Sequence, residues 1–457
     1  MNGNPNEGGP LAVLEELRAG ARGRVLLPGD AGWDDARRAW QLLVDQQPVA
    51  VVEAAAVDDV IAAIRAARAG GLRVAPQATG HAAGAVPGLA DTILLRTGAL
   101  TEVRIDSATG VARVGAGARW AQVVEAADRE GFAAVAGFAP SVGVVGFSLG
   151  GGLGWFARSH GLAAEQIVAV EGVDARGTLV RADADRNPEL LWAARGGVLP
   201  LIVTAIEMQL HRIPPLHAGS LMWPIERAAD VAHAWRAWIA TVPDTVTSLA
   251  RVLRFPPLDV FPEPVRGRAF VVVEAAIQGE SADGALAPLR DLDPEMDTVR
   301  PVRPTDLAGV HGDPVDPSPA HGEAVVLAEI STPAIDALVD AALAPEAGAL
   351  LSIELRHLGG RLASPAPSHG AVTRIAGEGI VMALGIVPSP EALPPVRAAA
   401  EWLSDRLRPF SSSQVVKTFA DRPAPPESIY GAALPRLREI AAAWDPEGVI
   451  SLAQPLA

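Results

Sequence analysis

The sequence predicts an α+β chain of two domains. Three observations carry that expectation. A chain of 457 residues is too long for one compact core. Its first hundred residues alternate short apolar strands with a helix, the pattern of a βαβ unit. After Pro214-Pro215 the strand candidates lengthen and alternate with helices, as in a largely antiparallel sheet with helices laid against it.

Taken in order, residues 11–17 have helical spacing and 24–27 read as a short strand. A helix is expected over 34–43 and a buried strand over 49–53. Val57-Asp58-Asp59 opens a helix with acids in its first turn, where the helix dipole favours them. It ends near Gly70-Gly71, and 72–75 is a strand. Residues 93–95 and 110–114 are further strands, 120–130 an amphipathic helix, 167–180 a hairpin, 190–195 a helix and 202–210 a strand. Beyond 215, strands are expected at 268–277, 324–329, 350–357 and 379–387, and helices at 228–239, 333–343 and 390–407. Residues 300–322, rich in Pro, Asp and Gly, read as an exposed loop. The chain is helical again from Tyr430 and stops near Asp445-Pro446.

Composition excludes several classes. Apolar residues make up 49% and charged ones 20%, an ordinary globular balance. A formal charge of −15 argues against a nucleic-acid surface. Lys417 is the single lysine. With no cysteine, disulfides, thiolate metal sites and thiol nucleophiles are ruled out. Residues 1–10 lack a signal-peptide pattern, and no run approaches eighteen apolar residues. A soluble cytoplasmic protein with a small-molecule substrate, no nucleic-acid or membrane partner and no metal is the expectation. Oligomeric state is not legible.

Two segments stand out. Gln77-Ala78-Thr79-Gly80-His81-Ala82-Ala83-Gly84 holds an imidazole in a loop of small residues. Gly150-Gly151-Gly152-Leu153-Gly154-Trp155 follows about seventy residues on. Glycine admits close backbone approach, and backbone N–H groups in such a loop can cradle phosphate without lysine. Each alone also fits a bland role: a satisfied loop histidine, or a structural turn.

Their order resembles the vanillyl-alcohol oxidase superfamily of FAD-linked oxidoreductases, with its PCMH-type FAD-binding domain, and most closely the bacterial berberine-bridge-like branch. The matching stretches are Pro48-Val49-Ala50, the Gly80-His81 loop, Gly143 through Trp155, Arg158-Ser159-His160-Gly161-Leu162, and Leu191-Trp192-Ala193-Ala194-Arg195-Gly196-Gly197. The resemblance implies an FAD domain from 1–214 and 411–457 and a substrate domain from 215–410. It implies FAD contacts at Gln77, Ala78, Thr79, Gly80, His81, Ala82, Gly84, Pro140, Val142, Gly143, Gly146, Phe147, Gly150, Gly151, Gly152 and Val203. It also implies one covalent bond, from His81 to the flavin 8α-methyl carbon. Ala139 falls where some relatives carry a second, cysteinyl link. The implied activity is hydride transfer to flavin N5 from a bulky secondary-metabolite substrate, with reoxidation by O₂.

The chain departs from that pattern elsewhere. Val198-Leu199-Pro200 replaces a glycine-rich loop, and Ala433 and Ala453 replace asparagines. Phe419 falls where relatives carry a tyrosine base, and Ile380 falls near the position of their Glu or Gln. Glu378, Tyr430 and His357 are the remaining acid–base candidates. These losses motivate an alternative: a redox-inactive scaffold of the same family that catalyses a cyclisation or rearrangement. The other histidines, His311 and His369 among them, show no ligand spacing.

Overall fold

The computed structural model describes residues 9–86, 88–363 and 370–456; the N-terminal segment 1–8 and His369 lie outside them. Three sheets organise these residues. The first runs β1 (Arg24–Leu26), β2 (Ala50–Glu53), β4 (Thr92–Arg96), β3 (Arg73–Gln77). Strands β2, β4 and β3 are parallel, with helix Val57–Gly70 as their crossover. Asp59 in its first turn is buried and accepts from the N–H groups of Arg22, Gly23 and Ala55. The second sheet is antiparallel, in the order β5 (Val103–Asp106), β6 (Val111–Gly115), β9 (Ile202–Gln209), β7 (Ile167–Val173), β8 (Leu179–Ala182).

The C-terminal segment returns to these two sheets. Ser451 N–H donates to Val74 O, and Val74 N–H to Val449 O, so the chain end lies beside β3. Leu434, Leu437 and Ile440 of helix Leu434–Trp444 share a core with Leu190 and Leu191.

The third sheet is antiparallel: β13 (Met296–Asp297), β10 (Leu216–Pro224), β12 (Ala269–Gln278), β11 (Val246–Arg254), β16 (Ser352–His357), β17 (Gly379–Ile386), β15 (Ala320–Leu327), with β14 (Arg300–Val302) beside β10. Alternation gives it two different faces. Val271, Val273, Ala275, Ile353, Leu355, Val381 and Ala383 pack on helices Ala228–Ile239, Thr332–Leu343 and Leu393–Leu407. The opposite face turns to the N-terminal half: Leu249 and Ala276 pack with Phe138, Trp155 and Phe156, and Ile380 with Leu153, Ala157 and Leu162.

The ionisable strand residues of that inner face are Arg251, Glu274, Glu354 and Arg356, and all are buried or nearly so. They form a network around His311. His311 Nδ1 lies 2.8 Å from Glu274 Oε2, and Nε2 lies 3.4 Å from Glu354 Oε2 and 3.5 Å from Asp313. Arg251 pairs with Glu274 at 2.5 Å and Arg356 with Glu354 at 2.7 Å. Burial pulls the His311 pKa down, but Glu274 and Glu354 outweigh it and leave the pKa raised. The expectation that 300–322 is an exposed loop therefore fails at its centre. His311 ends a short helix, Ala308–His311, and is buried because two carboxylates draw it in.

Arg158 joins the halves of the molecule. It is 4% exposed, donates to Val246 O at 2.7 Å, to Leu358 O and to Pro243 O, and meets His357 Nε2 at 2.9 Å. Two further expectations are corrected. The helix expected over 34–43 covers only Trp33–Arg37, because Trp40 and Gln41 N–H groups donate instead to Thr79 O and Gly80 O. Strands β10 and β11 were not anticipated; Gly219 and the proline at 224 mask the apolar alternation of β10.

Arg158→Met should destabilise the fold by about 3–5 kcal/mol, measured by urea unfolding, because four acceptors lose a buried charged donor. The His311 network predicts a pH signature. A raised native pKa gives stability that is present below the unfolded value and lost as pH rises through the native one. The stability gap between wild type and His311→Gln should therefore be widest near pH 6 and shrink towards pH 9, as read from thermal melts.

Candidate functional site

The two small-residue segments meet in space. A Cβ built on Gly143 would lie 3.3 Å from Ala78 Cβ and 3.7 Å from Thr79 Oγ1. Gly80 turns the first loop with φ +87°, a conformation that other side chains rarely adopt. Among the described residues the N–H groups of Thr79, Gly80, His81 and Ala82 make no hydrogen bond. Four free donors in one short loop are the arrangement that holds an anion.

His81 sits between the segments. Nδ1 lies 2.8 Å from Thr79 Oγ1, and Nε2 lies 3.4 Å from Ser141 Oγ. The imidazole stacks on Trp40, with ring centres 4.0 Å apart and planes 15° from parallel. Trp40 in turn donates to Val315 O at 3.2 Å. Burial, and then the Arg119 charge, lower the His81 pKa to about 4, so the ring is neutral at physiological pH. Arg96 adds positive charge nearby. It bonds the carbonyls of Ala36, Arg38 and Ala78, and the field of Arg119 reaches it too.

The other residues singled out in the sequence divide by role. Gln77 is buried and exchanges amide hydrogen bonds with Gln46 at 3.0 Å. Pro140 O and Val142 O accept from Ala121 and Trp120, seating the second segment on helix Trp120–Arg129. Gly143 caps a short helix, Val144–Leu149, that contains Gly146 and Phe147. A Cβ on Gly146 would meet nothing within 4 Å, so its surface is open. Gly152 serves packing: a Cβ there would lie 2.5 Å from the Phe147 ring. Gly150 lies against Thr418, and Gly151 has φ +108°. Val203 is buried on β9. Ala82 and Gly84 continue the first loop, with Gly84 against Asp421 O.

At Arg195-Gly196-Gly197 the chain itself fills the neighbouring space. A Cβ on Gly196 would lie 2.0 Å from Val372 O, and Lys417 Nζ donates to Gly197 O at 2.6 Å. Desolvation lowers the Lys417 pKa to about 8.

The three acid–base candidates each have structural partners. Glu378 is exposed and accepts from Ile330 N–H at 2.8 Å. Tyr430 is buried and donates to Gln454 O at 2.8 Å; burial raises its pKa. His357 lies on the helix side of β16, edge-on to Trp235, with its pKa lowered to about 3 by burial and by Arg158. The alternation in 354–357 is legible in the sequence, but which face the helices cover is not. The inner-face pair, Glu354 and Arg356, is the one nearer the second segment: Arg356 lies 4.1 Å from the Phe138 ring centre and 5.2 Å from that of Phe419. Among the described residues no cluster of three or more His, Asp or Glu is placed to hold a metal.

Comparison with known proteins agrees with this geometry. Residues 48–183 match the FAD binding domain family. An uncharacterized FAD-linked oxidoreductase of Bacillus subtilis (strain 168) is 32% identical over 220 residues, 47% of this chain and 49% of that protein. The (R)-6-hydroxynicotine oxidase of Paenarthrobacter nicotinovorans is 32% identical over 204 residues, 44% of each. The chain thus matches about half the length of these relatives. The match in solved structures is broader. A berberine-bridge-enzyme-like protein of Physcomitrella patens superposes with TM-score 0.82 at 20% identity, over 97% of this chain and 99% of that one. Berberine bridge enzyme from Eschscholzia californica gives 0.81 at 18%, over 98% of both. The residues around His81 suit the cofactor these names imply: free N–H donors, arginine charge and a neutral imidazole. Residues 48–183 thus form a domain of the FAD binding type, and the chain as a whole has the fold of the berberine-bridge-like proteins.

Proposed function

We propose that the protein is an FAD-dependent oxidoreductase whose flavin is tied to His81 by a single covalent bond. The observation that carries this reading is the state of His81: neutral, aligned by the Trp40 ring, and held at Nδ1 by Thr79. That leaves Nε2 as the bonding nitrogen, facing the Ser141–Gly143 segment. Bound FAD supplies two-electron oxidation of an organic substrate, with O₂ as the reoxidant.

The chain's own residues supply the rest. The 79–82 N–H groups and the charges of Arg96 and Arg119 hold the phosphates. Domains 1–214 with 411–457, and 215–410, divide the work between cofactor and substrate. Glu354 is kept ionised by Arg356, His311 and Arg251 against the cost of burial and holds the inner-face network in place. The substrate is a bulky, largely apolar secondary metabolite, and the site works in the cytoplasm.

A second reading, the redox-inactive scaffold, draws on Phe419 beside Arg356 and on the filled space at Gly196. One experiment separates the two. The flavin is exposed anaerobically to a panel of hydroxylated aromatic compounds and air is then admitted; bleaching by one of them, with hydrogen peroxide release on reoxidation, supports the oxidase, and a flavin that none of them bleaches supports the scaffold. For attachment, acid-precipitated wild type should keep its yellow colour, and His81→Ala should release all flavin to the supernatant. Because His81 is neutral above about pH 5, the attached fraction should be constant from pH 6 to pH 8. Flavin that stays bound to precipitated His81→Ala overturns the assignment of His81.

A further inference from the structure

A pocket of about 260 Å³ opens between helix Trp120–Arg129 and the turn at 304–308. Four aromatic side chains wall it: Trp120, Phe138, Trp155 and Phe156. Both halves of the molecule contribute, since Pro304, Leu307 and Ala308 close the outer side. The segment that supplies Phe138 and Pro140 continues into Ser141, whose hydroxyl is the one facing His81.

The outer wall is fixed at both ends. Arg303 pairs with Asp128 of the helix at 3.4 Å. His311 is held by Glu274, and Arg251 Nη2 donates to His311 O at 3.0 Å. Phe138 is the partition between pocket and network, with His311 edge-on at 5.0 Å and Arg356 on its ring. The pocket is thus bounded by pinned elements.

We propose that this pocket is the substrate site and that it takes a neutral, planar, hydroxylated aromatic molecule of two fused rings. The inference rests on the reading of His81 as the flavin anchor, because Ser141 links pocket and anchor. Size sets the ring count: the volume falls just below the roughly 300–1,000 Å³ of sites for drug-sized ligands. Chemistry sets the neutrality. An aromatic wall rewards flat apolar rings. The ionisable side chain lining the pocket is Glu125, which with the chain's charge of −15 disfavours an anion.

The test titrates purified flavin-containing protein with 1-naphthol by isothermal calorimetry, with 2-naphthoate as the anionic comparison. One site is expected, with naphthoate roughly tenfold weaker or worse because its carboxylate must be desolvated. Ala121→Trp places an indole at the pocket mouth from an exposed position and should weaken 1-naphthol roughly tenfold, with flavin content and melting temperature unchanged. If that variant fails to fold, Ala308→Trp on the opposite wall replaces it. No heat from 1-naphthol in flavin-loaded protein, or equal affinity in the filled variant, overturns the site and leaves the flavin reading standing. Naphthol binding that the filled variant abolishes in protein without flavin supports the site and overturns the flavin reading.

Discussion

One buried guanidinium ties the molecule together. Arg158 leaves the glycine-rich segment of the N-terminal half and enters the third sheet's territory, where it bonds backbone carbonyls rather than a tight carboxylate partner. Its nearest carboxylate, Asp244, is 3.5 Å away and largely exposed. A fork of five donors can satisfy several carbonyls at once from a fixed plane, and an ammonium cannot do so with the same geometry. The contact sets how the inner face of the third sheet meets Phe138, Trp155 and Phe156. The aromatic pocket, the His311 network and the Ser141 hydroxyl all take their relative positions from that meeting.

The same device recurs. Arg96 bonds three carbonyls beside the 77–84 loop, Arg254 bonds the carbonyls of Leu350 and Ala342, and Arg195 bonds Ile167 O. These cations are desolvated, yet each satisfies peptide groups that would otherwise be stranded at the ends of strands and turns. In the inner-face network buried cations meet buried anions directly. Burying five ionisable groups together is expensive, and here each faces an opposite charge.

Much of the local structure around His81 was legible in the sequence, because its signals are local. A histidine in a run of small residues, a glycine cluster and the βαβ pattern each lie within a short stretch, so their spacing survives reading. Contacts between distant stretches were not legible. Trp40 lies in a stretch read as helix, and its stacking on His81 depends on hydrogen bonds to residues 79 and 80. Arg251, Glu274, His311 and Glu354 share no spacing, since strand order rather than sequence order brings them together. His357 illustrates the limit within a single strand: a period of two identifies two faces, but helices far away in the chain decide which face is the inner one.

Reliance on arginine has a chemical corollary. The chain has one lysine, and its ammonium is half-buried against the Gly197 carbonyl. Acylating labels, amine-directed crosslinkers and conjugating enzymes that modify lysine therefore find no freely exposed target side chain. The protein's many exterior cations are nearly all guanidinium groups, which stay charged and unreactive towards such reagents.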